Sequence, residues 1–101
     1  MIVYNQTMKV DPSIHDAWLQ WQMQKNIPEI LLAGNFINHR FYHLLDQDER
    51  DGITYVLQLF TENIDQLKKF LQEYSFQFSQ QSVAKWGDRC LTFITLMEDV
   101  Q

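Results

Sequence analysis

Strand-like and helix-like patterns follow one another along this chain in an order that is used twice. Strands show alternating apolar and polar residues or short β-branched and aromatic runs, whereas helices repeat apolar residues every three to four positions. By these criteria we predict strands near 2–10, 35–46, 52–61 and 89–98, and helices near 12–33 and 63–86. Because a break divides each helical region in two, the order of elements is βααββααβ.

Local signals mark where these helices begin and end. Asp11 can accept hydrogen bonds from free backbone N–H groups, and Pro12 at the first helical position loses no bond that it would have made. Pro28 is expected to interrupt the first helix, since it cannot donate a hydrogen bond and crowds the turn before it. Gly34 is expected to take the left-handed conformation that ends a helix, and Gly87 occupies the matching position in the second half.

The order of the elements predicts the fold. Two βαβ units with right-handed crossovers interleave into one four-stranded antiparallel sheet that has its helices on one face. A chain of 101 residues has the length of one domain. We therefore predict a single ferredoxin-like α+β domain that covers residues 1–101.

The helix-free face of this sheet is too apolar for a surface in contact with water. In the third strand, Val56 and Phe60 lie on the face opposite to Tyr55 and Leu57, and the fourth strand is mostly apolar on both faces. One explanation is that a helix or the C-terminal tail covers the second face. The interpretation we favour is a homodimer in which two sheets pack face to face through their helix-free surfaces.

Charge argues against two classes of partner. The chain carries thirteen acidic and eight basic residues, a net charge of −5, so that phosphate backbones and anionic membranes repel it. RNA-recognition domains of this topology begin their third strand with a basic residue and glycine, whereas this chain has Asp51 before Gly52. No apolar run approaches the ~20 residues of a membrane span. We predict neither a nucleic-acid partner nor a membrane partner.

Two further features are typical of a cytoplasmic protein. The N-terminus lacks the basic region that opens a signal peptide. Cys90 is the only cysteine, so it cannot form an intrachain disulfide, and a lone thiol fits a reducing compartment.

The residues that most often carry chemistry form no known motif. His39 and His43 are four apart, but in a strand that spacing separates them by about 13 Å, too far for two ligands of one zinc ion. The loop 46–51 is acidic but lacks the ligand spacing of a calcium site, and the chain has no glycine-rich phosphate loop. Cys90 is interpreted as an inert structural thiol. We predict no metal and no cofactor, and we assign no catalytic residue.

Several short segments resemble a bacterial family of unknown function. They are Ile2-Val3-Tyr4-Asn5, Trp18 and Trp21 before Ile27-Pro28-Glu29, Gly34 with Phe36, Gly52-Ile53-Thr54-Tyr55 with Gln58 and Phe60, and Phe93 with Thr95-Leu96. The resemblance spans nearly the whole chain and implies membership of the dimeric α/β-barrel superfamily, which also contains cofactor-free monooxygenases, isomerases and ligand-sensing domains. The chain departs from these relatives at Asn26 and Ser82, where they carry histidine, and this weakens any enzymatic function that depends on such a residue.

Polar and aromatic side chains of the strands and the first helix provide a candidate ligand site. We predict a cleft between sheet and helices that presents these groups to a small apolar or aromatic ligand. The candidate residues are Asn5, Trp18, Trp21, Arg40, Tyr42 and Gln58. The alternative is that the polar ones satisfy backbone groups or bridge the dimer. At least one of the two tryptophans is expected to be deeply buried, and the pair to form a wall of any pocket between helix and sheet.

Two functions therefore remain open. The first is a noncatalytic dimeric module that binds a ligand or a protein. The second is a cofactor-free enzyme, monooxygenase-like or isomerase-like, that acts on a small apolar or aromatic substrate. A pocket that contains Arg40 and a histidine with a perturbed pKa would favour the enzyme, whereas a pocket filled by Trp and Phe side chains would favour the module.

Overall fold

The computed structural model describes residues 1–101 and confirms the order βααββααβ. The strands are β1 (Ile2–Val10), β2 (Asn38–His43), β3 (Ile53–Thr61) and β4 (Cys90–Glu98). The helices are α1 (His15–Trp21), α2 (Ile27–Gly34), α3 (Ile64–Glu73) and α4 (Ser75–Trp86), with 3₁₀ turns at Pro12–Ile14 and Gly87–Arg89. A π-helical segment, Gln22–Asn26, joins α1 to α2. None of the helices combines the length and apolar character needed to cross a bilayer.

The four strands form one antiparallel sheet in the order β2-β3-β1-β4. Strand β1 lies at the centre and pairs along its whole length with β3 and β4, so that Asn5 stands opposite Gln58 on one side and Thr95 on the other. Alternate side chains of the central strands, such as Met8 and Leu57, are buried against the helices. The predicted ferredoxin-like α+β fold is confirmed.

The chain does not break at Pro28, contrary to the prediction. Backbone angles remain right-handed helical from α1 through the π-helical segment into α2. At Ile27 the N–H donates to the carbonyl of Gln22, five residues back rather than four. This wider turn lies just before Pro28, whose ring would crowd the carbonyl four residues earlier and which has no N–H to donate. The helical region therefore accommodates Pro28 by widening the turn before it.

The left-handed residue that ends α2 is Asn35 and not Gly34. Asn35 has φ 51° and ψ 41°, a conformation that asparagine tolerates better than most residues. Gly34 is the last helical residue, and it is needed there because a Cβ would overlap the ring of Phe36. At the matching position Gly87 does have a positive φ of 62°.

Strand β2 is shorter than the predicted 35–46. Its pairing with β3 ends where the N–H of Leu44 donates to the carbonyl of Thr54 at 2.9 Å. Asp46 then takes a φ of 59°, which turns the chain out of the extended conformation. His43, the last residue of β2, contacts the loop that follows, with its Nε2 2.7 Å from Glu49 Oε2.

The core lies between the sheet and the helices and is centred on large side chains. Trp18 is completely buried and packs against Tyr55, with ring centroids 5.2 Å apart. Trp21 is only half-buried and meets Trp86 edge to face at 5.8 Å. The prediction that at least one of the two helix tryptophans is deeply buried is confirmed.

Candidate functional site

A cavity of about 570 Å³ lies between the sheet and the helices. Strands β1 and β4 form its floor, and its walls come from the π-helical segment, α2, α3 and α4. Its volume falls in the range of about 300–1,000 Å³ that is typical of small-molecule sites. Of the 17 lining residues, 10 are hydrophobic and none is Asp, Glu, Lys, Arg or His. The cavity therefore has an apolar lining that carries no formal charge.

Strand alternation decides which side chains form the floor. Every second residue of β1 points to the helices, and this places Gln6 and Met8 in the cavity. The register of β4 sets Ile94 opposite Gln6 and Thr92 opposite Met8. The floor therefore consists of apolar side chains that alternate with single uncharged polar ones.

Two amides of the lining are buried. Gln22 is 2% exposed and Asn26 is 7% exposed, and both belong to the π-helical segment. Asn26 Nδ2 donates to Gln22 Oε1 at 2.9 Å, and Gln22 Nε2 donates to Met8 Sδ at 3.6 Å. The two side chains hold each other in place, and the widened turn before Pro28 directs both into the cavity.

Two groups of the lining are titratable, and both are neutral at pH 7. Burial raises the pKa of the Tyr4 phenol, and a hydrogen bond with Gln6 opposes this shift. Burial likewise raises the pKa of the Cys90 thiol, against smaller opposing effects of Thr92 and Trp18. Since the ordinary pKa values of both groups already lie above 7, the cavity presents no charge and no group poised to exchange a proton.

The open side of the cavity combines three exposed apolar residues with two uncharged polar ones, Ser79 and Thr92. Phe76 and Val83 of α4 are 71% and 63% exposed, and Ile94 of β4 is 49% exposed. All three line the cavity. A molecule that enters from this side therefore meets a largely apolar surface, whereas the two amides are buried.

The structure divides the six predicted cleft residues between the two faces of the sheet. Arg40, Gln58 and Asn5 lie side by side across β2, β3 and β1, on the helix-free face. Tyr42 lies on the same face, in the next row. None of these four side chains lines the cavity, which is on the helix side.

Trp18 and Trp21 lie on the helix side but do not line the cavity either. The prediction that this pair forms the wall of a pocket is wrong for this cavity. Trp18 packs on Phe41 and Tyr55 and reaches the Cys90 thiol at the start of β4, but its own side chain is not part of the cavity lining. The spacing of the apolar residues in the first helix correctly predicts that Trp18 faces the sheet. It does not predict which strands α1 covers.

The sequence analysis missed the amide pair. Gln22 and Asn26 follow Trp18 at intervals of four residues, which places all three on the same face of a helix. Two amides on the face that packs against the sheet were the sequence signal that could have indicated this site. Both positions at which the family resemblance predicts histidine, Asn26 and Ser82, line the cavity. In this chain they contribute an amide and a hydroxyl in place of a group that titrates near neutral pH.

A second cluster of polar side chains lies around Tyr55. His15 Nε2 is 2.7 Å from the Tyr55 hydroxyl and His15 Nδ1 is 3.0 Å from Asp16 Oδ1, while the His43 ring stacks on the Tyr55 ring at 5.0 Å. Burial raises the pKa of Tyr55, and the charges of Glu49 and Asp16 add to this effect. The cluster links α1 to the β2–β3 hairpin. No group of three or more His, Cys, Asp or Glu side chains in the chain is arranged to hold a metal ion.

Comparison with known families identifies the chain by its sequence. A family model described as a domain of unknown function, DUF4286, matches residues 1–100. The chain belongs to the DUF4286 family. No protein of curated function matches the sequence. Membership of DUF4286 confirms the resemblance to a family of unknown function and brings no activity with it.

Solved structures similar to this DUF4286 protein share its fold at low sequence identity. An EthD family protein from Bacillus halodurans has a TM-score of 0.70 and 10% identity over 99% of this chain and 100% of its own. A dimeric ferredoxin-like protein from an uncultured marine organism has a TM-score of 0.69 and 8% identity over 99% and 95%. A putative antibiotic biosynthesis monooxygenase from Deinococcus radiodurans has a TM-score of 0.67 and 14% identity over 100% and 94%. These neighbours share the ferredoxin-like fold of this chain, and one of them is described as dimeric.

Proposed function

We propose that this DUF4286 protein is a noncatalytic homodimeric module that binds a small neutral molecule with an apolar body. The observation that carries the proposal is the lining of the cavity between the sheet and α4, where 17 residues include no charged side chain and no histidine. Burying a charged ligand there would cost solvation free energy that no opposite charge offsets. An apolar molecule would gain about 25 cal/mol for each Å² that it removes from water.

The enzymatic alternative requires a group that moves a proton or activates the substrate. Arg40 and the three histidines all lie outside the cavity. The Tyr4 phenol and the Cys90 thiol line it, but burial raises the pKa of each and so keeps both protonated. The structural similarity to a putative monooxygenase supports the fold, but it is no evidence that the cavity of this chain contains a group that moves a proton. A binding module accounts for the lining better than a cofactor-free enzyme does.

The homodimer is proposed to form through the helix-free face of the sheet. On that face the polar row Arg40, Gln58, Asn5 and Thr95 runs between two rows rich in apolar residues. Phe93 and Met97 of these rows are 62% and 39% exposed. A second copy of the sheet would bury them, and one similar structure is described as a dimer. Cys90, which stays a free thiol in the cavity wall, suits the reducing environment of the cytoplasm.

The cavity can be tested with 1-aminoanthracene, a neutral aromatic probe whose fluorescence rises in apolar surroundings. We expect saturable binding to the wild-type protein and loss of binding in Ser82→Phe, because the new ring fills the space beside α4. Gln80→Phe is the matched control, since Gln80 is an exposed residue of the same helix that does not line the cavity. Equal binding by both variants would place the probe elsewhere and contradict the proposal.

A further inference from the structure

Asn26 offers a hydrogen-bond acceptor to the cavity that the protein itself leaves unused. Its Nδ2 uses one of its two N–H groups to donate to Gln22 Oε1, whereas no donor of the protein reaches its Oδ1. The side-chain atoms that are fully enclosed without a partner are the indole nitrogens of Trp18 and Trp86. Asn26 Oδ1 is therefore not sealed off, although the residue is 7% exposed and lines the cavity.

The acceptor is held in a fixed orientation before any ligand arrives. The bond of 2.9 Å from Asn26 Nδ2 to Gln22 Oε1 sets the plane of the Asn26 amide. Gln22 is fixed in turn by its contact of 3.6 Å with Met8 Sδ. Ordering these side chains therefore adds no entropic cost when a ligand binds, and such preorganisation favours selective recognition.

We propose, on the basis of the proposed function, that Asn26 and Gln22 select neutral ligands that donate a hydrogen bond, such as alcohols, phenols and amides. A hydroxyl or amide N–H at the buried end of the ligand donates to Asn26 Oδ1, while the apolar body lies against Met8, Ile30 and Phe70. A ligand without a donor leaves this acceptor unpaired in a desolvated site, and binding is weaker for that reason. A carboxylate adds a charge that meets no cation in the lining.

Three naphthalenes test this selectivity because they share one apolar body. In 2-naphthol the substituent donates a hydrogen bond, in 2-methoxynaphthalene it only accepts one, and in 2-naphthoate it is a carboxylate. Calorimetric titration of the wild-type protein should show 2-naphthol binding at least about fivefold more tightly than 2-methoxynaphthalene, the ratio expected for one hydrogen bond. Binding of 2-naphthoate should be weaker than either.

A double variant assigns the selectivity to the amide pair. Gln22→Met with Asn26→Leu replaces both amides by apolar side chains of similar size, so that neither is left without its partner. This variant should bind 2-methoxynaphthalene at least as well as the wild type and lose the preference for 2-naphthol. Gln80→Leu is the control, because it makes the same kind of change outside the cavity and should keep the preference.

The outcomes separate this inference from the function on which it rests. If 2-methoxynaphthalene binds as tightly as 2-naphthol to the wild type, the cavity binds ligands but the amides do not select donors, and the inference is wrong. If neither compound binds and 1-aminoanthracene does not bind either, the proposed function itself fails. A wild-type ratio near one overturns the inference even if the double variant does not fold.

Discussion

Asn26 Nδ2 donates a hydrogen bond of 2.9 Å to Gln22 Oε1 within the one widened turn of the first helical region. Pro28 stands two residues beyond this pair and cannot supply the N–H that a regular α-helix would use there. The residue that the sequence predicts as a helix break instead lies in a continuous helical region whose widened turn carries the two amides. The two amides of the candidate site therefore belong to the turn that precedes this proline.

The first prediction concerns that proline. Pro28→Ala should restore a backbone donor and let the helix return to regular α-helical spacing, which rotates Gln22 and Asn26 relative to the cavity. The ratio of 2-methoxynaphthalene to 2-naphthol dissociation constants should fall toward one. Pro12→Ala, at a 3₁₀ turn away from the cavity, should leave the ratio unchanged. An undiminished ratio in Pro28→Ala would show that the proline does not position the amides.

The second prediction concerns the two tryptophans of α1. Trp18 is completely buried, so Trp18→Ala should lower the free energy of unfolding by about 3–5 kcal/mol. Trp21 is only half-buried, and Trp21→Ala should cost clearly less. Urea unfolding at one fixed protein concentration measures both values. Unfolding midpoints indistinguishable from wild type for both variants would mean that neither indole supports the core.

The fold could be predicted from the sequence because the patterns that indicate strands and helix ends are local and occur in both halves of the chain. The period-2 pattern of residues 2–10 and the capping residue Asp11 act within a few positions, and the structure has β1 and the helix start where they predict. The π-helical turn before Pro28 was not predictable in the same way. Whether a proline breaks a helix or widens a turn depends on the free energy that the flanking helices gain by packing, which the local sequence does not contain.

The candidate site was less predictable because it depends on distant packing. Asn5, Arg40 and Gln58 were predicted to share a cleft, and in the structure they lie in one row of the sheet. Their assignment to a cleft with Trp18 required knowing which face the helices cover, and the two sets lie on opposite faces. The cavity itself depends on where α4 crosses the sheet, and no residue pattern within α4 specifies that position.

The third prediction uses the thiol in the cavity wall. Because burial raises the pKa of Cys90, the thiolate should form at higher pH than in a free cysteine, whose pKa is about 8.5. The rate of alkylation by iodoacetamide should therefore reach its midpoint above that pH in the folded protein and near it in urea. Bound 1-aminoanthracene should slow the reaction of the folded protein further. A midpoint at or below the value in urea would contradict the burial of this thiol.

The fourth prediction concerns the helix-free face of the sheet. Sedimentation of the wild type should give about twice the chain mass of 12.2 kDa. Phe93→Lys places a charge in the proposed interface and should produce monomers, because a buried unpaired charge is costly. Leu32→Lys is the control, since Leu32 is 84% exposed on α2, away from that face. A monomeric wild type, or a Phe93→Lys variant that remains dimeric, would rule out this interface.

The most direct test of the account is a map of where a neutral ligand binds. Titration of ¹⁵N-labelled protein with 1-aminoanthracene should shift the backbone amide resonances of residues 22–26, 75–83 and 90–94, which surround the cavity. Resonances of residues 38–42 in β2, none of which lines the cavity, should not move, and chromatography should recover the compound unchanged. Shifts confined to the helix-free face, or conversion of the compound to a product, would contradict a noncatalytic binding cavity between the sheet and α4.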